Sequence, residues 1–549
     1  MLTGMRQSPA GGHIVIIAVF AVIAGLSGLL TVPPLDRDES RFIQATTQMI
    51  ETGDYVRIRF QDEERNKKPV GIYWLQAASV QTLADVEDRP LWAYRLPSLI
   101  GVVLAAIFTY LAGCALFGTS PACLGAMLLA AAPVVMGEAS IAKTDASLLA
   151  AVCGMQAALA WLVTSPAPER RTAMLFWFSL GAGILLKGPV APLVGLSTLA
   201  GVLFVSGGAW RDLLKRLRPI MGILILALMV LPWAIAIGIE TEGRFYTEAI
   251  GIDMVGKVGE AQESHGLPPG AHLGMFWAMF WPAGMFAAAS LAYVIPRWRE
   301  PMIFFCLAWL VPMWLVFEIA STKLPHYTMV LYPAIALLAG QMIRAVPETE
   351  LRGLRLAGAG IYALVGIGVV VTLLVVTRQY SSAGLVIWHY LAAGLICVAT
   401  LVASTFVVMR KSGTAVGAAC MASALLAWGA FEGVLPTLDR LSVTPRLADM
   451  LDDNEAHPLK DNTGPVALVG YSEPSAVFTL GTNTKLLRPR EAVVWITAGQ
   501  NRAVVVEARD EEEFLAALPQ GREALRIASI EGFNYSKNRD VRLTLFRLR

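Results

Sequence analysis

Residues 36–74, DRDESRFIQATTQMIETGDYVRIRFQDEERNKKPVGIYW, crowd acids and bases between two apolar stretches. Charge held beside membrane-length apolar segments is costly unless it faces water or a substrate. Asp38 and Glu39 open a helical pattern, and Lys67 and Lys68 close a loop ahead of a second apolar helix. A carboxylate at a membrane surface can orient or deprotonate an attacking group. Fixed cations stabilise the charge that builds on a phosphate as its bond breaks. Together these residue types suit an anionic, lipid-borne substrate. Three further places carry the same residue types: Lys143-Thr144-Asp145 at the head of an apolar stretch, Lys187 in LLKGPV, and Lys323 in STKLPHY. Each has a plainer explanation. Acids at a helix start are stabilised by the dipole or act as caps, and a lysine near a membrane edge snorkels. Lys68, Lys187 and Lys323, on one face and each within two residues of Pro or Gly, fit a phosphate cluster better. Glu263, His265 and His272 have the chemistry for a divalent cation. Their spacing is not a diagnostic one, and a structural role for that loop is preferred.

The elements that must position these groups are membrane helices. Of 549 residues 56% are hydrophobic and 16% charged, against about 25% charged in soluble proteins. Mean hydropathy is +0.58. A net charge of +2 with no basic tract gives no reason to expect nucleic acid. The six cysteines all lie in apolar stretches, as buried thiols would. A membrane-spanning helix needs about 20 apolar residues. Thirteen stretches qualify as candidates, near 14–33, 94–117, 120–138, 144–164, 173–187, 189–207, 219–240, 273–295, 301–320, 326–345, 355–377, 385–409 and 414–435. The first lacks a small-residue cleavage site and is expected to stay as an anchor. Arg170 and Arg171, then Arg211 to Arg218, Arg297 and Arg299, Arg344 to Arg355, and Arg410 and Lys411 fall on alternate loops. The positive-inside rule places those loops in the cytoplasm. The charges of interest then share the opposite face.

In the first loop, residues 39–52 read as a helix with Phe42, Ala45, Met49 and Ile50 on its apolar side. Residues 70–84 read as a helix too short to span, suited to the interface. Beyond about residue 438 charge returns. Runs such as VALVG at 466–470, AVVWI at 492–496, AVVVEA at 503–508 and VRLTLFRL at 541–548 read as strands alternating with helices. The expected organisation is a transmembrane catalytic domain over 1–438, with outer loops 34–93 and 240–272, and a small α/β domain over 439–549.

DESRF at 38–42, TGDYV at 52–56, NKKPVGIYW at 66–74, KTDA at 143–146, LLKGP at 185–189, LPW at 231–233 and TKLPHY at 322–327 stand in one order across the membrane portion. In this the chain resembles the GT-C-fold membrane glycosyltransferases that use polyprenyl-phosphate sugars. The nearest branch is the bacterial aminoarabinose transferases of lipid A, with protein O-mannosyltransferases as distant relatives. The resemblance implies a mostly α membrane protein of about 13 spans with interfacial helices and a C-terminal periplasmic α/β domain. It implies that Asp38, followed by Glu39, activates or orients the acceptor, and that Asp145 is the acid of the second outer loop. Lys68 would meet the donor phosphate. Lys187, Lys323 and Tyr327 would surround the lipid carrier, with Arg41 and His326 of the matching segments beside them. Phe42 and Arg65 stand where tyrosines are expected in the aminoarabinose transferases, and HGLPPG at 265–270 is a further departure. These leave sugar and acceptor open.

The expected activity is inverting transfer of a sugar from undecaprenyl phosphate to lipid A or another envelope glycolipid, at the periplasmic face of the bacterial inner membrane. A monomer needing no metal or other cofactor is expected, since lysines can do a cation's electrostatic work. The alternatives are a protein O-mannosyltransferase-like enzyme and a lipid-linked sugar transporter, which would carry midplane charges on broken helices.

Overall fold

The computed structural model describes residues 7–167, 169–207, 210–249, 251, 267–460, 464–499 and 502–549. Helix occupies all thirteen apolar stretches. Eight of these helices are long and apolar enough to cross a membrane, or nine if a bent pair is one span, among the described residues. The chain is therefore a multi-pass membrane protein. Helix α1 covers Gly11–Gly25. The charged loop follows, with α2 at Asp38–Thr52, a two-stranded ribbon of β1 at Arg59–Phe60 and β2 at Glu63–Glu64, and α3 at Gly71–Leu83. Then come α4 at Leu91–Leu116, α5 at Thr119–Ala130, α6 at Pro133–Ala139, α7 at Thr144–Thr164 and α8 at Arg170–Lys187. Helices α5 and α6 meet at 63°, where Pro133 lacks the N–H that would continue α5. A second break, at Phe280, separates Ala271–Met279 from Trp281–Val294.

Helix α7 is the axis of the bundle, with nearly every residue buried. Its alanine-rich surface lets neighbours approach closely, as helices in lipid require. A Cβ on Gly101 of α4 would stand 2.8 Å from the carbonyl carbon of Ala146. Helix α2 is amphipathic. Phe42, Ala45 and Met49 are buried, Ile50 is half-buried, and Gly53 ends the helix at φ 70°. Two of its buried hydroxyls find partners: Thr46 donates to Gln76 at 2.7 Å, and Thr47 lies 2.9 Å from the Tyr94 hydroxyl.

The C-terminal region is a five-stranded sheet with helices on both faces. Strands β3 (Ala467–Val469), β4 (Lys485–Leu487), β5 (Val504–Glu507), β6 (Ala524–Asn534) and β7 (Arg539–Leu548) lie in the order β4-β3-β5-β7-β6. The first three are parallel, and β7 and β6 are antiparallel additions. Leu447, Leu451, Val505 and Leu543 pack on one face, and Val493, Ile496, Val504 and Phe514 on the other. One expectation fails here: 492–496 is not a strand but lies in the helix Pro489–Thr497. Pro489 fits the first helical turn, and the Glu491 carboxylate accepts the Arg488 N–H at 2.9 Å. These local signals outweigh the β-propensity of Val-Val-Trp-Ile. Strands β4 and β6 carry too little apolar alternation to be read beforehand.

Candidate active site

At the end of the bundle that meets the sheet, a cleft of about 320 Å³ opens among residues from several elements. Helix α2 supplies Asp38, Arg41 and Phe42, preceded by Asp36 and Arg37. The loop after β2 supplies Arg65, Lys67 and Lys68. Lys143, Thr144 and Asp145 come from the start of α7, Lys187 from the end of α8, and Thr322, Leu324, His326 and Tyr327 from the segment after the helix Pro301–Ile319. Seven lining side chains are cationic and three are carboxylates. The folded chain thus unites residues up to 291 positions apart by number, from Asp36 to Tyr327.

A balanced network forms the floor of the cleft. Lys187 Nζ lies 2.5 Å from Asp145 Oδ1 and 5.2 Å from the centre of the Tyr327 ring. Lys143 pairs with Glu138 at 2.8 Å and lies 3.9 Å from Asp145. His326 sits between the acids, 3.7 Å from Asp145 and 3.8 Å from Glu138. Burial opposes the Lys143 charge, but Glu138 and Asp145, with Asp38 farther off, outweigh it and hold its pKa above the ordinary lysine value. Lys143 was noted with Asp145 but given no role, and Glu138 was not among the expected residues. The signal was there: both are charges beside apolar spans, five residues apart, with Asp145 two residues beyond Lys143.

Asp38 is exposed at the cleft mouth. Among the described residues no hydrogen bond or ion pair engages its carboxylate. The preceding Arg37 holds φ 69° and ψ −103°, a region that costs a non-glycine residue about 1–3 kcal/mol. Phe42 and Arg65, the two departures noted above, face each other: the guanidinium lies 4.7 Å from the ring centre, and Arg65 also donates to Tyr73 Oη at 2.8 Å.

Three expected residues stand apart from the cleft. Glu39 is buried. Arg95 grips it through Nε at 2.8 Å and Nη2 at 2.9 Å, and the N–H groups of Leu35 and Ala142 donate to it at 2.9 and 2.8 Å. Adjacent helical residues point about 100° apart, so Asp38 faces the cleft while Glu39 faces the core. Lys323 is also buried, its ammonium spent on the carbonyls of Ala320 at 2.6 Å and Leu267 at 2.8 Å. His272 lies against Leu324 O at 3.2 Å and 3.7 Å from Glu318. Its partners in the candidate cation site, Glu263 and His265, lie outside the described residues. Among the described residues no group of three metal-ligating side chains is present.

A model of the family described as dolichyl-phosphate-mannose-protein mannosyltransferase matches residues 67–235. An undecaprenyl phosphate-alpha-4-amino-4-deoxy-L-arabinose arabinosyl transferase of Edwardsiella ictaluri (strain 93-146) is 24% identical over 390 residues, covering 69% of this chain and 67% of that protein. The protein of the same name from Pseudomonas paraeruginosa (strain DSM 24068 / PA7) is 26% identical over 382 residues, covering 64% and 67%. The crystal structure of ArnT from Cupriavidus metallidurans bound to undecaprenyl phosphate superposes with a TM-score of 0.76 at 19% identity, over 97% of this chain and 98% of that one. A helical bundle with a charged cleft under a small sheet domain is the GT-C fold of membrane glycosyltransferases. Within it, the chain is similar in sequence to the aminoarabinose transferases over about two thirds of its length and to the protein mannosyltransferase family over residues 67–235.

Two outcomes follow. Breaking a buried ion pair by removing one partner costs about 3–5 kcal/mol, so Arg95→Met or Glu39→Gln lowers the thermal midpoint of detergent-purified protein sharply, whereas Asp38→Asn leaves it unchanged. Equal midpoints for all three would refute the structural assignment of Glu39. The second concerns Asp36, whose carboxyl burial pushes up to about 7 against hydrogen bonds from Ser475 and Tyr535, with Glu473 adding to the rise. Its unfolded value is 3.8, so between about pH 4 and 7 the folded state holds the extra proton and stability falls as pH rises. Asp36→Asn flattens that slope in thermal melts from pH 5 to 8; an unchanged slope would contradict it.

Proposed function

We propose that the chain transfers a sugar from a polyprenyl phosphate, of the undecaprenyl type, to an envelope glycolipid acceptor such as lipid A. The observation that carries this is the cleft itself: cations outnumber carboxylates among its lining residues, and one acid stands exposed at its mouth. An anionic lipid phosphate fits such a lining, and the names of the relatives supply the donor class. An acceptor oxygen bonds to the anomeric carbon from the face opposite the phosphate. The carbon–oxygen bond to phosphate breaks and the electron pair leaves on phosphate, inverting the centre. Asp38 orients an acceptor phosphate, or takes the proton of an acceptor hydroxyl. Lys68, Lys67 and Arg41 meet the donor phosphate, and the Asp145–Lys187–His326–Tyr327 group shapes the floor beneath it. Glu39 and Lys323 act in this reading by holding backbone. Fixed ammonium and guanidinium groups do the electrostatic work at the phosphate, so transfer proceeds in the presence of a chelator.

The alternating basic loops support an inner-membrane protein with the cleft and sheet domain facing the periplasm. A second reading, with a protein hydroxyl as acceptor, is favoured by the description of the matching family model. The clustering of charge at one end of the bundle speaks against a transporter, whose ligand charges would lie near mid-membrane.

Mass spectrometry of envelope glycolipids from cells lacking the protein, complemented with wild type or Asp38→Asn, tests this. A sugar that returns with wild type and falls at least about 100-fold with Asp38→Asn, in line with loss of a general base or its orienting charge, is expected. Loss of a sugar from a secreted protein, with lipids unchanged, would select the second reading. Lys68→Met is expected to raise the donor KM more than it lowers kcat; the reverse would remove Lys68 from donor binding.

A further inference from the structure

Besides contacts of Asp439, Arg440 and Phe533 with Tyr380 and Ser382, the sheet domain meets the bundle at two places near the site. Along α2 and its flank it is bolted by side chains: Gln44 donates to Thr482 Oγ1 at 2.8 Å, Gln61 to the carbonyls of Thr482 and Thr484 at 3.0 and 2.7 Å, and Arg89 to Phe478 O at 2.6 Å. Separately, the turn between β6 and β7 reaches the two residues just before Asp38. There the Asp36 N–H donates to Tyr535 Oη at 2.6 Å, and Arg37 Nη2 donates to Ser536 O at 2.6 Å. The turn is itself braced. Asn534 Nδ2 donates to the buried Glu473 at 2.8 Å, and the Lys537 N–H returns to Asn534 Oδ1 at 3.0 Å. It projects from the two longest strands of the sheet.

What the turn grips is the strained point of the loop. Arg37 at φ 69° relaxes unless its surroundings fix it, because an unfavoured backbone conformation persists only where neighbours over-determine it. On the bundle side Glu39 holds the Leu35 N–H; on the other side only the Tyr535–Ser536 contacts hold residues 36 and 37 among the described residues, together with Ser475 at the Asp36 carboxyl. A change of ψ at Arg37 would swing Asp38 relative to the fixed floor of the cleft.

We propose that the tip of the β6–β7 hairpin, through the Tyr535 hydroxyl and the Ser536 carbonyl, is a positioning element of the active site that holds residues 36 and 37 so that Asp38 points into the cleft. The sheet domain then serves the reaction from outside the cleft, with Tyr535 acting through Asp38 rather than on a substrate. This rests on the assignment of Asp38 made above.

The test uses full-length protein and two readouts. Hydrogen exchange of residues 35–39 in purified protein is expected to rise about five- to tenfold in Tyr535→Phe, the effect of losing one hydrogen bond. In Thr482→Val, which loosens the domain farther along α2, it stays at the wild-type rate. In membranes with matched protein amounts, Tyr535→Phe lowers the transfer rate by a similar factor at saturating donor but has no further effect on the residual rate of Asp38→Asn. Such non-additivity is what action through Asp38 requires. Unchanged exchange in Tyr535→Phe, an equal rise in Thr482→Val, or additive effects of Tyr535→Phe and Asp38→Asn would each overturn the proposal. Full transfer by Asp38→Asn would instead sink the assignment of Asp38, and the exchange result would still decide whether the hairpin holds the loop.

Discussion

The structure depends on one buried ion pair. Arg95, fully enclosed in α4, meets both oxygens of Glu39 and also donates to the carbonyls of Gly28, Leu29, Val32 and Pro33. Taking two charges out of water is expensive, and their attraction compensates only when every remaining donor and acceptor is satisfied. Here they are: the other acceptor sites of Glu39 take the N–H groups of Leu35 and Ala142. Three stretches of irregular backbone and the side of one helix converge on this pair. They are the end of the first span, the turn into α2, the side of α4, and the residues before α7. Irregular backbone near a membrane is tolerated where polar groups inside the protein satisfy it. The loop that carries Asp38 and the segment that carries Lys143 and Asp145 are therefore fixed by the same ion pair, both through the Glu39 carboxylate.

A second constraint is charge balance beneath the cleft. Two carboxylates and two ammonium groups surround His326, all substantially buried. In a medium of low polarity, unmatched charge there would be far more costly than at a surface. Lys187 is largely answered by Asp145 at 2.5 Å. The field that greets an anion thus comes mainly from the upper wall, where Arg37, Arg41, Arg65, Lys67 and Lys68 stand with Asp36 and Asp38. The geometry separates a neutral floor from a positive wall.

Much of this was legible in the sequence: the membrane class, the helical stretches, the C-terminal sheet, and the group of Asp38, Arg41, Lys68, Asp145, Lys187, His326 and Tyr327 that shares one cleft. What was not legible depended on which way a side chain turns. Asp38 and Glu39 are chemically alike and adjacent, and only the packing of α2 decides that one meets solvent and the other meets Arg95. Lys187 and Lys323 have similar neighbours, yet one ends a helix at the cleft and the other caps carbonyls. Arg95 was overlooked although an arginine inside an apolar span is itself a warning of a buried partner. In the sheet domain, β-propensity at 492–496 lost to a proline and a capping glutamate, both visible in the sequence but outside the apolar run.

The bond from Asp36 to Tyr535 spans 499 positions of sequence. Contacts this distant form late, since a chain emerges in order and its early segments fold first. While the ribosome is still making the membrane helices, the turn at Arg37 has no hairpin to hold it. A nascent chain halted anywhere before Ser536 would insert its helices and still lack the final clasp on the loop. Assembly of the site is in this sense a check that synthesis has passed nearly the whole of the sheet domain.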